Sequence, residues 1–300
     1  YDVTIFEALH EIGGVLKYGI PEFRLPNAIV DAELESLRDM GVKFESDTIV
    51  GKTLSHDDLK EMGFAGLFVA SGAGLPRFMG IPGENYINIL SSNEYLTRIN
   101  LMHAGREGYA TPVPRGARVA VIGGGNTAMD SVRTALRMGA ERAMLVYRRS
   151  EAEMPARREE IEHAREEGVE FMTLSNPVEY LADEQGRVRA MRVQRMQLGE
   201  PDAGGRRSPV PVEGAIDEIP VDVVIVSVGV SPNPLIPDAI DGLEVTGRGT
   251  IAVNDSLQSS IPSIFAGGDI VRGGATVILA MGDGRHAAAE MDNYLSKLYL

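Results

Sequence analysis

Three small residues at 123, 125 and 128, in the run VAVIGGGNTAMD (119–130), have the types and spacing with which a backbone holds a pyrophosphate. Gly123 lets the chain turn sharply out of an apolar run, and Gly125 leaves room for a phosphate to approach main-chain N–H groups. Ala128 stands in the third glycine position, where a helix lies close to a strand. Exposed N–H groups and the helix dipole then favour negative charge there. A second apolar run, AMLVYRR (143–149), ends in Arg148 and Arg149. At the end of such a strand an acid meets an unmodified ribose 2′-hydroxyl, whereas arginine pairs with a 2′-phosphate. Guanidinium groups grip phosphate through parallel charge-assisted hydrogen bonds, so the pair points to NADP rather than NAD. A solvated loop also carries arginines, but in a chain of net charge -14 a double arginine here runs against the trend.

The elements that must position these residues surround them. Val119–Ile122 is apolar throughout, as befits a parallel strand covered on both faces. The following NTAMDSVRTALRMG places Ala128, Val132, Ala135 and Leu136 on one helical stripe, with Gly139 to end it. Glycines at this spacing also serve ordinary turns. A strand before, a helix after and a second strand within about 30 residues favour a dinucleotide-binding βαβ unit. Arg157 and Arg158, in ARREEIEHAREEG (156–168), add charge nearby but read as part of a surface helix.

A second constellation lies near the end of the chain. Ile264 to Ala266 form a short strand, Gly267 and Gly268 permit a turn, and Asp269 is presented at the strand's carboxyl end, where ligands sit in open α/β sheets. A carboxylate there accepts hydrogen bonds from sugar or ribityl hydroxyls. A helix from about Thr276 would aim its N-terminal N–H groups at the same place. The same Gly-Gly-Asp turn is compatible with packing alone.

At the other end, YDVTIFE (1–7) is a short apolar strand closed by an acid, as in the second strand of a nucleotide-binding unit whose carboxylate meets a ribose. A first strand and glycine loop are then expected upstream of Tyr1, the alternative being a plain edge strand. Gly13 to Pro26 is too rich in glycine and proline for a regular element. A helix is expected from about Asn27 to Met40, then a strand in GVKFESDTIV (41–50). Two similar apolar strands, in 66–76 and 221–233, bracket the βαβ unit, which predicts one domain inserted in another with two crossings. The stretch 198–220 reads as the polar, turn-forming tip of a β excursion in the inserted domain, in which Arg206 and Arg207 are solvated.

Composition narrows the function classes. Three hundred residues suit two domains, and 44% hydrophobic with 24% charged residues is ordinary globular composition. A pI near 4.9 argues against nucleic acid as a partner. No apolar run reaches the 18 or so residues of a membrane span, so a soluble, cytoplasmic chain is expected. Cysteine is absent, which removes thiol nucleophiles, cysteine clusters and a redox C-x-x-C from these residues. His10, His56, His103, His163 and His286 are scattered without metal-ligand spacing. Redox chemistry would rest on a bound cofactor.

The segments GGVLKYGIPEFRLP, VAVIGGGNTAMD, VYRRSEAEMPAR and IFAGGDIVRGGATVILAMGDGRHAAAEM, in this order, resemble the small (beta) subunit of NADPH-dependent glutamate synthase and the related flavin and NADPH domains of dihydropyrimidine dehydrogenase. The resemblance implies an α/β fold of two nested Rossmann-like domains: an FAD-binding domain of 1–75 and 232–300, lacking its first strand and glycine loop, and an NADPH-binding domain of 76–231. It implies hydride transfer from NADPH to FAD, with electrons leaving through [4Fe-4S] clusters held upstream of Tyr1 to a large glutamate synthase-type subunit or another acceptor protein. Carried onto this sequence, Glu7 contacts the FAD ribose, and Gly14, Val15 and Arg24 lie along the flavin. Gly123, Gly125, Asn126 and Thr127 cover the NADPH pyrophosphate, and Arg148 and Arg149 its 2′-phosphate. Asp269 binds the ribityl chain, beside Gly268, Ala275, Thr276 and Val277. No catalytic side chain and no metal ligand is expected. Alternatives are a flavoprotein serving ferredoxin or a pyrimidine reductase partner, and an NADP-binding sensor or scaffold without turnover.

Overall fold

The computed structural model describes residues 1–298. They form two compact units. One comprises Tyr1–Ile12, Glu35–Leu75 and 229–298, the other Gly13–Leu34 and Pro76–Val228. The chain therefore passes between units four times, not the two expected. The difference is Gly13–Leu34, which falls in the second unit although 1–75 is expected to run in the first.

In the second unit a five-stranded sheet has the order Ile89–Ser91, Val223–Val226, Arg118–Ile122, Arg142–Val146, Glu170–Met172, and every neighbouring pair is parallel. Its central strands are apolar at almost every position because both faces are covered. Val119, Val121, Ala143, Leu145, Val223 and Ile225 enter one core with the helices Ser92–Asn100, Asn126–Arg137 and Arg158–Glu166. Their alternates Ala120, Ile122, Met144, Val146, Val224 and Val226 enter another, against Tyr180, Val188, Met191 and Val193. The two-residue strand period thus divides one apolar run between two cores. The predicted helix stripe is seen, with Ala128, Val132 and Ala135 buried and Leu136 packed beside them.

The second core is covered by an antiparallel sheet of Ser175–Ala182, Val188–Pro201 and Arg207–Pro220. The stretch expected to be a turn-forming tip is therefore mostly the far half of a long hairpin, and only 202–206 turn. Its prolines mislead because Arg207–Pro220 is the edge strand of this sheet, where missing N–H groups are tolerated.

The first unit holds two parallel strand pairs. Thr4–Phe6 pairs with Lys43–Glu45, and Leu67–Val69 with Ile264–Ala266. Val69, Ile264, Ala266 and Ile270 pack with Ile240, Leu243 and Ile251. Helix Asn27–Asp39 matches the expected span to one residue and contains the passage between units at Leu34. The C-terminal helix Val277–Leu298 begins within a residue of its expected start. No described helix is long and apolar enough to cross a membrane.

Candidate functional site

The three glycines after strand Arg118–Ile122 are required for different reasons. Gly123 has φ 146°, and a Cβ there would lie 2.2 Å from the Ser227 carbonyl oxygen, so the backbone leaves no space for one. Gly124, which the spacing argument passes over, would drive a Cβ to 2.8 Å from the Tyr147 ring. Its carbonyl accepts from the Ala156 N–H, and Tyr147 Oη donates to the Glu153 carbonyl, so the segment after the arginines is fixed to the loop. Gly125 is different. Its φ of −91° suits any residue, a Cβ on it would meet no atom within 4 Å, and it caps Asn126–Arg137 without a side-chain hydrogen bond. The open N-terminus of a twelve-residue helix beside free space fits a pyrophosphate.

Asn126 and Thr127 are the helix's first residues. Asn126 Oδ1 accepts from the Arg157 N–H at 2.9 Å, and the Thr127 side chain is exposed. The arginine pair splits. Arg148 is exposed at the end of its strand and has no ion-pair partner among the described residues. Arg149 is buried, its Nη2 donating to Asp202 Oδ2 at 2.7 Å. The strand ends at Val146 and both arginines lie in the bend that follows, where one turns to solvent and the other into the protein, so a dipeptide that looks uniform in sequence is not uniform in space.

Arg24 is also in this unit. It donates from Nη1 to both oxygens of Asp130 (2.8 and 2.7 Å), and its Nε lies 3.0 Å from Glu160 Oε1. Glu160 and Glu167 also bind Arg133, and the Arg133 and Arg137 guanidiniums cover the Phe23 ring at 4.4 and 4.3 Å. Helix Arg158–Glu166, expected on the surface, therefore turns Glu160 inward. Burial pushes the Asp130 carboxyl up to about 6, against the pull of Arg24. Gly14, at φ 52°, and exposed Val15 open the single helical turn Val15–Tyr18, a regular element where none was expected.

In the other unit, Glu7 follows its strand as expected. Its Oε1 accepts from the Leu9 N–H. Gly268, at φ 72°, caps the short helix Asp269–Arg272. Asp269 Oδ1 accepts from the Ala275 N–H at 3.0 Å, which brings Asp269 together with the segment Ala275, Thr276 and Val277, all exposed. Burial raises the Asp269 carboxyl above its usual range. Asp283, unnoticed in sequence, sets this turn. Its Oδ2 accepts from the Gly268 N–H at 2.9 Å, and both its oxygens accept from Arg272. A Cβ on Gly267 would lie 2.8 Å from Asp283 Cβ. The available signal was a lone acid among small residues in AMGDGRHAAA (280–289), 15 residues after Gly268.

A glycine loop opening a helix of a parallel sheet, in one unit of a chain whose other unit is a second α/β unit, defines the class of pyridine nucleotide-binding oxidoreductases. Comparison with known proteins agrees: the pyridine nucleotide-disulphide oxidoreductase pattern matches residues 21–284, and the chain belongs to that family. It is 42% identical, over 98% of its length, to the NADP(+)-dependent formate dehydrogenase subunit beta of Moorella thermoacetica, of which it covers 41%. It is 38% identical, again over 98% of its length, to the glutamate synthase [NADPH] small chain of Azospirillum brasilense, covering 62% of that protein. The chain thus spans less than two thirds of either relative. Among solved structures, Mycobacterium tuberculosis FprA in complex with NADPH superposes with a TM-score of 0.81 at 20% identity, over 99% of this chain and 78% of FprA, which shows a shared fold.

Proposed function

We propose that these residues are the nucleotide and flavin module of an NADPH-dependent flavoprotein. In this reading electrons pass through [4Fe-4S] clusters, held by chain outside these residues, to a glutamate synthase-type large subunit. The observation that carries it is the glycine loop. Packing dictates Gly123 and Gly124, but Gly125 faces open space at a helix start, and Arg148 stands uncommitted at the end of the adjacent strand.

In this reading the N–H groups of Gly125, Asn126 and Thr127 bind the pyrophosphate, and Arg148 binds the 2′-phosphate. Glu7 accepts from the ribose of FAD and Asp269 from its ribityl hydroxyls, with Gly268 and Ala275 to Val277 beside the flavin ring. Gly14 and Val15 flank it. FAD, when bound, supplies the hydride acceptor and the one-electron outlet. The protein's contribution is orientation, so no side-chain acid or base is assigned.

Stopped-flow mixing of the complete protein with NADPH tests this. Bleaching of bound flavin, faster with NADPH than with NADH, is the expected result. Bound FAD that NADPH leaves oxidised overturns it. A second reading keeps the module and changes the acceptor, and the name of the Moorella relative favours it, since a formate dehydrogenase subunit is no less similar than a glutamate synthase chain. Ferredoxin and a pyrimidine reductase are acceptors of that kind. Reconstitution with a glutamate synthase large subunit separates the two.

A further inference from the structure

Arg149 is a buried cation, next in sequence to Arg148, the arginine proposed above to bind the 2′-phosphate. Its side chain is 7% exposed, Nη2 is engaged by Asp202, and Nε is buried with no hydrogen-bond partner. The partner carboxylate comes from the turn of the long hairpin. That hairpin is tied to the arginine's own backbone, because the Leu174 N–H donates to the Arg149 carbonyl and the Met196 N–H to the Leu174 carbonyl. Register shifts between Gln194 and Met196 and between Leu198 and Pro201 then bend its far arm. Within the turn the two oxygens of Asp202 divide their work. Oδ1 accepts from the Gly204 and Arg206 N–H groups, and Oδ2 meets Arg149 at 2.7 Å, with the exposed Arg206 Nε 4.0 Å away. The Arg206 N–H holds the Asp202 carboxyl below the usual range, with the Arg149 charge acting in the same sense, so it is ionised at neutral pH.

We propose that Asp202 is a built-in competitor for the nucleotide's 2′-phosphate, and that binding of NADPH exchanges carboxylate for phosphate on Arg149. The proposal rests on the nucleotide reading above. One carboxylate oxygen satisfies Nη2 and leaves Nε orphaned. A phosphate presents three oxygens and satisfies Nε and Nη2 together, the two donors of one guanidinium edge. The exchange replaces one anion by another of higher charge, so the buried cation is never left unpaired. A ribose 2′-hydroxyl carries no charge with which to displace Asp202. NADH therefore leaves the pair closed and gains nothing from Arg149, so Asp202 lowers affinity for the phosphorylated coenzyme alone, while the exposed Arg148 provides first capture of the phosphate.

Asp202→Asn tests this in the complete protein, because asparagine keeps the Oδ1 acceptor of the turn and removes the charge that competes. Titration calorimetry with NADP+, NAD+, 2′,5′-ADP and AMP is the readout. Binding of NADP+ and 2′,5′-ADP tightens about fivefold, the worth of one partly exposed ion pair, while NAD+ and AMP are unchanged. Arg148→Ala is the control for the underlying reading. If Asp202→Asn leaves NADP+ binding unchanged or weaker while Arg148→Ala abolishes the preference for NADP+, the exchange is wrong and the phosphate site stands. If neither substitution alters the preference, both fall.

Discussion

Asp130 sits 3% exposed on the helix that opens at the glycine loop, and its carboxyl titrates at about 6 because burial penalises its charge more than Arg24 rewards it. A carboxyl raised from 3.8 to about 6 contributes stability that is fully present below the lower value and is lost as pH rises through the upper one. The amount is on the order of 3 kcal/mol. Denaturant midpoints between pH 4 and 8 check it. The difference in stability between wild type and Asp130→Asn should shift in favour of wild type as pH falls through 6. A difference that is flat with pH would show that Asp130 keeps an ordinary carboxyl. None of this was legible in sequence. Asp130 reads as one more polar residue on an amphipathic helix, and its partners Arg24 and Glu160 are remote along the chain. What sequence does carry at this scale is the set of residues whose backbone conformation is special, such as Gly123 and Gly268, because only glycine suits them.

Among elements, the loop between strand Arg118–Ile122 and helix Asn126–Arg137 separates folding from binding within three residues. Gly123→Ala puts a methyl 2.2 Å from the Ser227 carbonyl at φ 146°, and neither backbone can yield cheaply. It should cost roughly 3 kcal/mol or more, from overpacking and strain together. Gly125→Ala meets no protein atom, and alanine tolerates φ −91°. The poorer helix cap and the lower entropy of the unfolded chain nearly cancel, so stability should change by less than about 1 kcal/mol. Its methyl would stand where the pyrophosphate is proposed to lie, so NADP+ affinity should fall at least about tenfold, one lost charge-assisted hydrogen bond. Thermal melts paired with calorimetry decide between them. If Gly125→Ala binds NADP+ normally, the phosphate is not there. Element types were legible where apolar period and glycine punctuation agree, as in Arg118–Ile122 and Ile264–Ala266. The hairpin of 188–220 was not, since its edge strand carries prolines and polar residues that local propensity reads as turn.

For the whole molecule, two matched apolar strands predict two passages between units where the chain makes four, because nothing in sequence marks Gly13–Leu34 as part of the second unit. That segment has no period to betray its packing, and side chains anchor it. Arg24 meets Asp130 and Glu160, Phe23 lies under Arg133 and Arg137, and Asn100 Nδ2 donates to the Tyr18 carbonyl. The segment thus belongs to the unit that holds the glycine loop. Arg24→Met should expose how far this anchoring depends on charge. Removing the guanidinium leaves Asp130 buried without its main cation, a loss of about 3 to 5 kcal/mol when one member of a buried pair is deleted. Hydrogen exchange should then quicken at Tyr18 and Gly19, whose N–H groups bond to Gly14 and Val15, by about 100-fold or more if opening is local. The Ala266 N–H, bonded to Leu257 in the other unit, should keep its protection, and Arg24→Lys should fall between. Equal acceleration at all these amides would mean that Arg24 supports global stability alone, and no acceleration at Tyr18 would mean that the aromatic and amide contacts hold the segment without it.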